Sequence, residues 1–331
     1  MNENKPKRYA RPFSMHLTDA DISPIPQSDR QSEKIERESI SYWQDATRRF
    51  SKNKVAMISL AVIILIMLFA LIGPLLSPYS YDQQIRGNEK IGPCLEHPFG
   101  TDALGRDMLV RVMVGIRISL LIGVFCALIV LIIGSVYGAI AGYYGGKVDN
   151  IMMRIADIVY SLPDVLVVIL LQIALKSWVE SLFPNPGVLS SILSLLVAFA
   201  LIYWVRMARM VRGQVMQIKQ NEYVTAAKAM GAPTRKIILR HLIPNSIGTI
   251  IVTTLFEVPN AIFLEAWLAF VGLGISAPMS SLGSLANSAL SSMQSTPYLL
   301  FAPAFTICII VLAFNQFGDG LRDALDPRLR K

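Results

Sequence analysis

The run Val55–Leu76 contains no charged residue. About 20 apolar residues suffice for a helix to cross the roughly 30 Å hydrocarbon of a bilayer. Five further apolar runs follow: Ile118–Tyr143, Val159–Leu175, Val188–Val205, Ile247–Val271 and Tyr298–Phe317. The third is interrupted by Pro163 and Asp164, and the fifth carries Glu257 and Glu265. Inside lipid each backbone N–H and C=O must be satisfied within its own segment, so such runs fold as helices. Charged residues make up 16% of the chain, against about 25% in a soluble protein. The sequence therefore predicts an all-α, polytopic membrane protein with six transmembrane helices.

Six spans place both termini on one side, and lysine and arginine decide which side is cytoplasmic. If the termini lie inside, the outer segments hold only Arg86, Lys90, Arg106, Arg111, Arg117 and Lys176 of the 31 basic residues. The expected topology is N-in/C-in. The net charge of +8 is then a topology signal that also suits contact with anionic membrane lipid, and no nucleic acid is expected as a partner. The organisation read from this is a cytoplasmic tail over 1–54, a first span over 55–76, an outer loop over 77–117, a core over 118–317 and a cytoplasmic tail over 318–331. Residues 1–31 have the composition of disorder, whereas about 33–50 fits an amphipathic helix in the headgroup layer, anchored by Tyr42 and Trp43. The N-terminus lacks a signal peptide's pattern, so the first span reads as an uncleaved anchor. Cys94, Cys126 and Cys308 suggest no disulfide framework.

Between the fourth and fifth spans lies a polar, basic loop, residues 206–246. Asn221 is placed to cap a helix beginning at Glu222, with Val224, Ala227 and Met230 on its apolar side. Gly231 can take the left-handed conformation that ends it. After Ala232, Pro233 suits the first turn of a second helix carrying Ile237, Ile238, His241 and Leu242, which Pro244 closes. A helix pair beside the membrane serves either as a surface for another protein to push on or as a hairpin resting on the lipid.

Inside the spans, Gly134, Gly138 and Gly142 recur every fourth residue and share a helix face, a pattern for close helix packing. Charge within a bilayer usually faces a cavity, so Glu257, Glu265 and Asp164 are candidate pathway residues, with Asn260 beside Glu257. Pairing with a neighbouring helix is the alternative for the two glutamates, and helix capping for Asp164. In the outer loop, Thr101 and Asp102 can cap turns, and Arg106 can pair with Asp102 or Asp107 in an exposed contact. The tail residues Asp319, Arg322, Asp323 and Asp326 suit a salt-laced helix.

The loop resembles the EAA loop of bacterial ABC importer permeases, a pattern of Glu-Ala-Ala, three residues, Gly, nine residues and Ile-x-Leu-Pro. Ala226, Ala227, Gly231 and Pro244 match it; Thr225, His241 and Ile243 depart. The stretches His97–Asp107, Gly115–Leu121 and Gly318–Arg328 are similar to the second, C-type permease of oligopeptide and dipeptide importers, and so is Tyr42–Lys54. The likeness runs from about residue 40 to 331. It implies a type I importer permease fold in a bacterial inner membrane. It also implies that Glu222, Ala226, Ala227, Gly231, Ala232, Pro233, His241 and Pro244 couple to an ATPase. The implied partners are a homologous second permease, two ATP-binding-cassette subunits holding ATP and Mg, and an extracellular peptide-binding protein.

No metalloprotease or nucleophile motif is present. The nearest approach to a phosphate-binding loop, Ala141–Val148, lacks its first glycine and its hydroxyl. The chain is thus expected to bind no cofactor and to catalyse nothing itself. Two rival readings are an importer of nickel or another small solute on the same architecture, and a channel or scaffold that never meets an ATPase.

Overall fold

The computed structural model describes residues 41–182, 187–275 and 278–326. Residues 1–40, with the first eight residues of the expected 33–50 helix, lie outside them, as does Arg328. The chain parts into two units, residues 1–44 and 45–331. Among the described residues, six helices are long and apolar enough to cross a membrane, and no strand forms apart from one isolated bridge, Thr101 to Asp107.

Helix α1 (Tyr42–Lys52) is followed at once by α2 (Lys54–Leu76), the first span, whose start Asn53 caps by accepting bonds from the amides of Val55 and Ala56. The second, α3, runs Met108–Tyr144 and starts ten residues before the expected Ile118. The expectation fails because Arg111 and Arg117 look like loop charges, yet both find partners inside the fold. Arg111 pairs with Asp102. Arg117 donates to the carbonyls of Ala70, at 2.5 Å, and Leu71, at 2.8 Å. Ala70 O is the acceptor that Pro74, lacking an N–H, leaves without a helical partner. The guanidinium therefore replaces the bond that a proline inside the span removes.

Pro163 holds Leu162 extended, so the expected third span is cut. Its first residues end α4 (Gly146–Ser161), and the span itself is α5 (Asp164–Leu182). The fourth span, α6 (Gly187–Ile202), breaks at Tyr203 and resumes as α7 (Trp204–Ile218). The loop contributes α8 (Glu222–Ala229) and α9 (Thr234–Ile237). A π turn over Ile238–Leu242 then leads without interruption into α10 (Ile243–Leu268), the fifth span. A second π turn ends it at Leu273, where Gly272 has φ +92°. A helix that the apolar pattern does not announce, α11 (Leu282–Leu290), starts at a capping box on Ser281. The last helix, α12 (Tyr298–Leu325), absorbs most of the expected tail. Asp319, Arg322 and Asp323 form no ion pair among the described residues, and Asp326 ends the helix, its carbonyl accepting from Arg49 Nη1 at 3.2 Å.

Helix α3 is the hub: α7 and α10 lie along it, α12 packs on α10 and α2, and α5 and α6 pair with each other. Gly134, Gly138 and Gly142 meet α7. A Cβ on Gly134 would stand 2.5 Å from Met207 Cβ, one on Gly142 2.9 Å from Arg212 O, and one on Gly138 would strike the backbone of Ala208. Two backbones this close leave no space for a methyl group.

Candidate coupling and pathway site

The hairpin turns on a Schellman motif. Gly231 has φ +77°; its amide bonds to Lys228 O at 2.9 Å and that of Ala232 to Ala227 O at 3.1 Å. These two bonds satisfy carbonyls that the end of α8 would otherwise orphan. An L side chain at that φ costs about 1–2 kcal/mol, yet nothing lies within 4 Å of where a Cβ would point. Glycine is needed for the angle, and the space beside it is open.

Val224, Ala227, Ile237 and Leu242 are buried. They fasten one face of the hairpin to the helices beneath. Of the expected coupling residues, Glu222, Ala226, Gly231, Pro233 and Pro244 are exposed, Ala232 and His241 half-buried and Ala227 buried. An open depression of about 490 Å³ is lined by Pro233, Arg235, Lys236, Leu239, Arg240 and Pro244.

Two local expectations change. Asn221 stands at the cap position, but its side chain makes no capping bond; the amides of Val224 and Thr225 bond to its carbonyl instead. Pro244 does not close the second helix. The π register absorbs the missing N–H, and the side chains of Asn245 and Ser246 donate to His241 O, at 2.5 Å, and Leu242 O, at 3.0 Å.

Helix α7 joins this hairpin to the membrane core and carries three arginines three residues apart. Arg212 grips Asp149 with two bonds, 2.5 and 2.6 Å. Arg209 meets Asp157 at 2.7 Å and lies 4.3 Å over the Tyr160 ring. Both tie α7 to α4. Arg206 instead reaches Glu257 on α10, with 3.5 Å between Nη1 and Oε1.

The candidate pathway acids have separate surroundings. Glu257 is buried and faces Arg206. Glu265, 1% exposed, accepts from Ser119 Oγ at 3.2 Å, and Ser119 Oγ in turn accepts from Leu282 N at the start of α11. Its Oε1 has no partner among the described residues. Asn260 is exposed. Asp164 is exposed in the first turn of α5; its Oδ1 accepts from Val165 N and its Oδ2 from Tyr203 Oη at 3.3 Å. Tyr160, Asp164, Tyr203 and Arg206 line a cavity of about 310 Å³.

At the opposite end of α3, residues 77–107 make a cap. Asp107 heads α3 through Oδ1, which accepts from Val110 N at 2.9 Å, and its Oδ2 lies 2.7 Å from His97 Nδ1. Asp102 accepts from the amides of Leu104 and Arg106, from Arg106 Nε at 2.8 Å and from Arg111. The expected Arg106–Asp102 pair is present but largely buried, because Arg111 and the turn enclose it. Burial pushes the Asp102 carboxyl up, but the amide of Arg106, the charge of Arg111 and the remaining bonds outweigh it and hold it below its ordinary value.

Residues 134–331 match the family described as binding-protein-dependent transport system inner membrane component. The chain belongs to this family. Residues 41–96 match the N-terminal transmembrane domain of oligopeptide transport permease C. The chain is 44% identical to the oligopeptide transport system permease protein of Bacillus subtilis, across 99% of this chain and all of that one. It is 47% identical to the dipeptide transport system permease protein of the same species, over 92% of each. It is 43% identical to the oligopeptide transport system permease protein of Escherichia coli K12, over 90% of this chain and 95% of that one. As an inner membrane transport component, the chain has its six candidate spans in keeping with its family.

Sequence reasoning passed over Arg206, Arg209 and Arg212 as topology charges. Their spacing of three places them along one side of a helix, and Asp149 and Asp157, two helical turns apart on α4, are the matching signal. It also missed Ser281 and Arg117. The lone proline at 74 in an uncharged run was the available sign that some donor must fill Ala70 O.

Proposed function

We propose that this transport component is the membrane-spanning subunit of an ATP-driven importer that carries oligopeptides or dipeptides inward. The hairpin over 221–244 faces the cytoplasm in this reading, with both termini on the same side. Glu222, Ala226, Gly231, Ala232, Pro233, His241 and Pro244, seated on Ala227, form the surface on which an ATPase subunit bears. ATP and Mg belong to two such subunits. A homologous permease completes the pathway, and an extracellular peptide-binding protein delivers the solute. Closure of the ATPases pushes the hairpin, and α7 and α10 carry the displacement into the membrane.

The observation that carries the reading is the hairpin itself: clamped to the bundle on one face, bare on the other, and continuous with two membrane helices. Identity of 44% and 47% to oligopeptide and dipeptide permeases, over 99% and 92% of the chain, favours peptides over nickel. Among the described residues no three His, Cys, Asp or Glu side chains group to hold a metal. Glu257, with Asn260 and Asp164 near the break between α6 and α7, is the better placed of the two glutamates to meet a solute, since Glu265 is enclosed by its own chain.

The test is reconstitution of the complete assembly in vesicles with ATP inside and labelled peptide outside. Peptide accumulation that follows ATP hydrolysis supports the proposal. Nickel accumulation instead, or flux indifferent to ATP, overturns it.

A further inference from the structure

We propose that Arg206 is a carboxylate-binding residue of the pathway and receives the C-terminal carboxylate of the peptide. This rests on the peptide reading above.

The three arginines of α7 have unequal partners. Two are spent: Arg212 holds Asp149 by a fork of two short bonds, and Arg209 holds Asp157 at 2.7 Å while lying over the Tyr160 ring. Charge-assisted N–H···O bonds usually span about 2.7–2.9 Å. Arg206 stands 3.5 Å from Glu257 and makes no other hydrogen bond among the described residues. Its side chain is 58% exposed, whereas that of Glu257 is 5% exposed. A guanidinium carries five donors in a rigid fork, so most of this fork is unspent.

The buried carboxylate keeps the charge near the mouth of the cavity without filling the fork. Glu257 presents one oxygen to Arg206, at 3.5 Å, whereas a ligand carboxylate free to approach can place both its oxygens on the fork in a bidentate contact. The cavity of about 310 Å³ beside it, walled by Tyr160, Asp164 and Tyr203, gives a chain end somewhere to lie. Arg206 is in the first turn of α7, just after the break at Tyr203, and the other end of that helix leads to the hairpin. A ligand held there is released when the hairpin moves α7.

The chemistry recognised is a carboxylate, and an anionic lipid headgroup would also fit the fork. The experiment separates these sources. The complete assembly in vesicles is given one labelled peptide as the free acid and as the C-terminal amide, each above saturation of the binding protein. The expected result is an acid-to-amide uptake ratio that falls about tenfold in Arg206→Gln, the scale of a charge-assisted bond lost. The fall should be smaller in Arg206→Lys, which keeps the charge and loses the fork. Arg209→Gln, removing the same charge one turn on, should leave the ratio as it was. An unchanged ratio in Arg206→Gln overturns the proposal, as a lipid in the fork would make it. If that variant does not assemble, an unchanged ratio in Arg206→Lys overturns it equally. No ATP-driven uptake of either peptide by the unsubstituted assembly would instead overturn the peptide reading, and this inference with it.

Discussion

The two ends of helix α3 handle charge in opposite ways. At the cap, Asp102, Arg106 and Arg111 are drawn out of water and bonded to one another, and Asp107 meets His97. At the hairpin, Arg235, Lys236 and Arg240 surround an open depression and form no ion pair among the described residues. A buried charge without its partner costs several kcal/mol; an exposed one costs almost nothing. The cap is thus finished within this chain, whereas the hairpin holds its shape alone and leaves its charges for something else.

The largest effect is expected at Asp102. Asp102→Ala leaves Arg111, 7% exposed at its side chain, uncompensated, and should cost about 3–5 kcal/mol. Thermal unfolding of the purified chain in detergent measures it, and a loss under about 1 kcal/mol would mean that the cap behaves as an ordinary surface. The pH dependence sharpens the point. The folded Asp102 carboxyl lies below its unfolded value, so its contribution is complete above the unfolded value and is lost as pH falls through the folded one. Protection of the amides of residues 85–106 against hydrogen exchange, relative to their intrinsic rates at each pH, should be kept at pH 5 and fall only below about pH 4. In Asp102→Asn that acid transition should vanish. Next in size is Arg117→Ala, which reopens Ala70 O and should cost about 1.5–3 kcal/mol, read as earlier release of α2 from α3 by cysteine accessibility along α2.

The apolar runs made six helices legible because lipid leaves a long uncharged segment no other fold. Gly231 and the α8 stop were legible for a local reason: glycine takes the left-handed conformation that ends a helix at the least steric cost. What the sequence hid was long-range. Arg111 and Arg117 read as loop residues until Asp102 and the carbonyl above Pro74 are set beside them. Pro244 reads as a stop because the linear pattern does not reveal a π turn. Arg206, Arg209 and Arg212 look alike in a row, and only their distances to Asp149, Asp157 and Glu257 show two as fixtures and one as loosely held.

Smaller effects lie on the hairpin, where the readout should be docking and not stability. Gly231→Ala should cost about 1 kcal/mol from its φ alone and retain a co-purifying ATPase. Gly231→Trp, with the same strain, projects bulk into open space and should lose that ATPase; equal retention by both would show that nothing docks beside the turn. The smallest shift is expected for Arg240→Ala, within about 0.5 kcal/mol of the parent in thermal unfolding. If the hairpin charges await a partner, this variant should still weaken ATPase capture, and the deficit should shrink as salt rises, because screening already removes at high salt what the substitution removes. A deficit that persists unchanged at high salt would point to lost packing by the arginine stem beside Leu239. In that case the hairpin would work through its apolar surface, and the contrast with the cap would be one of exposure and not of charge left unspent.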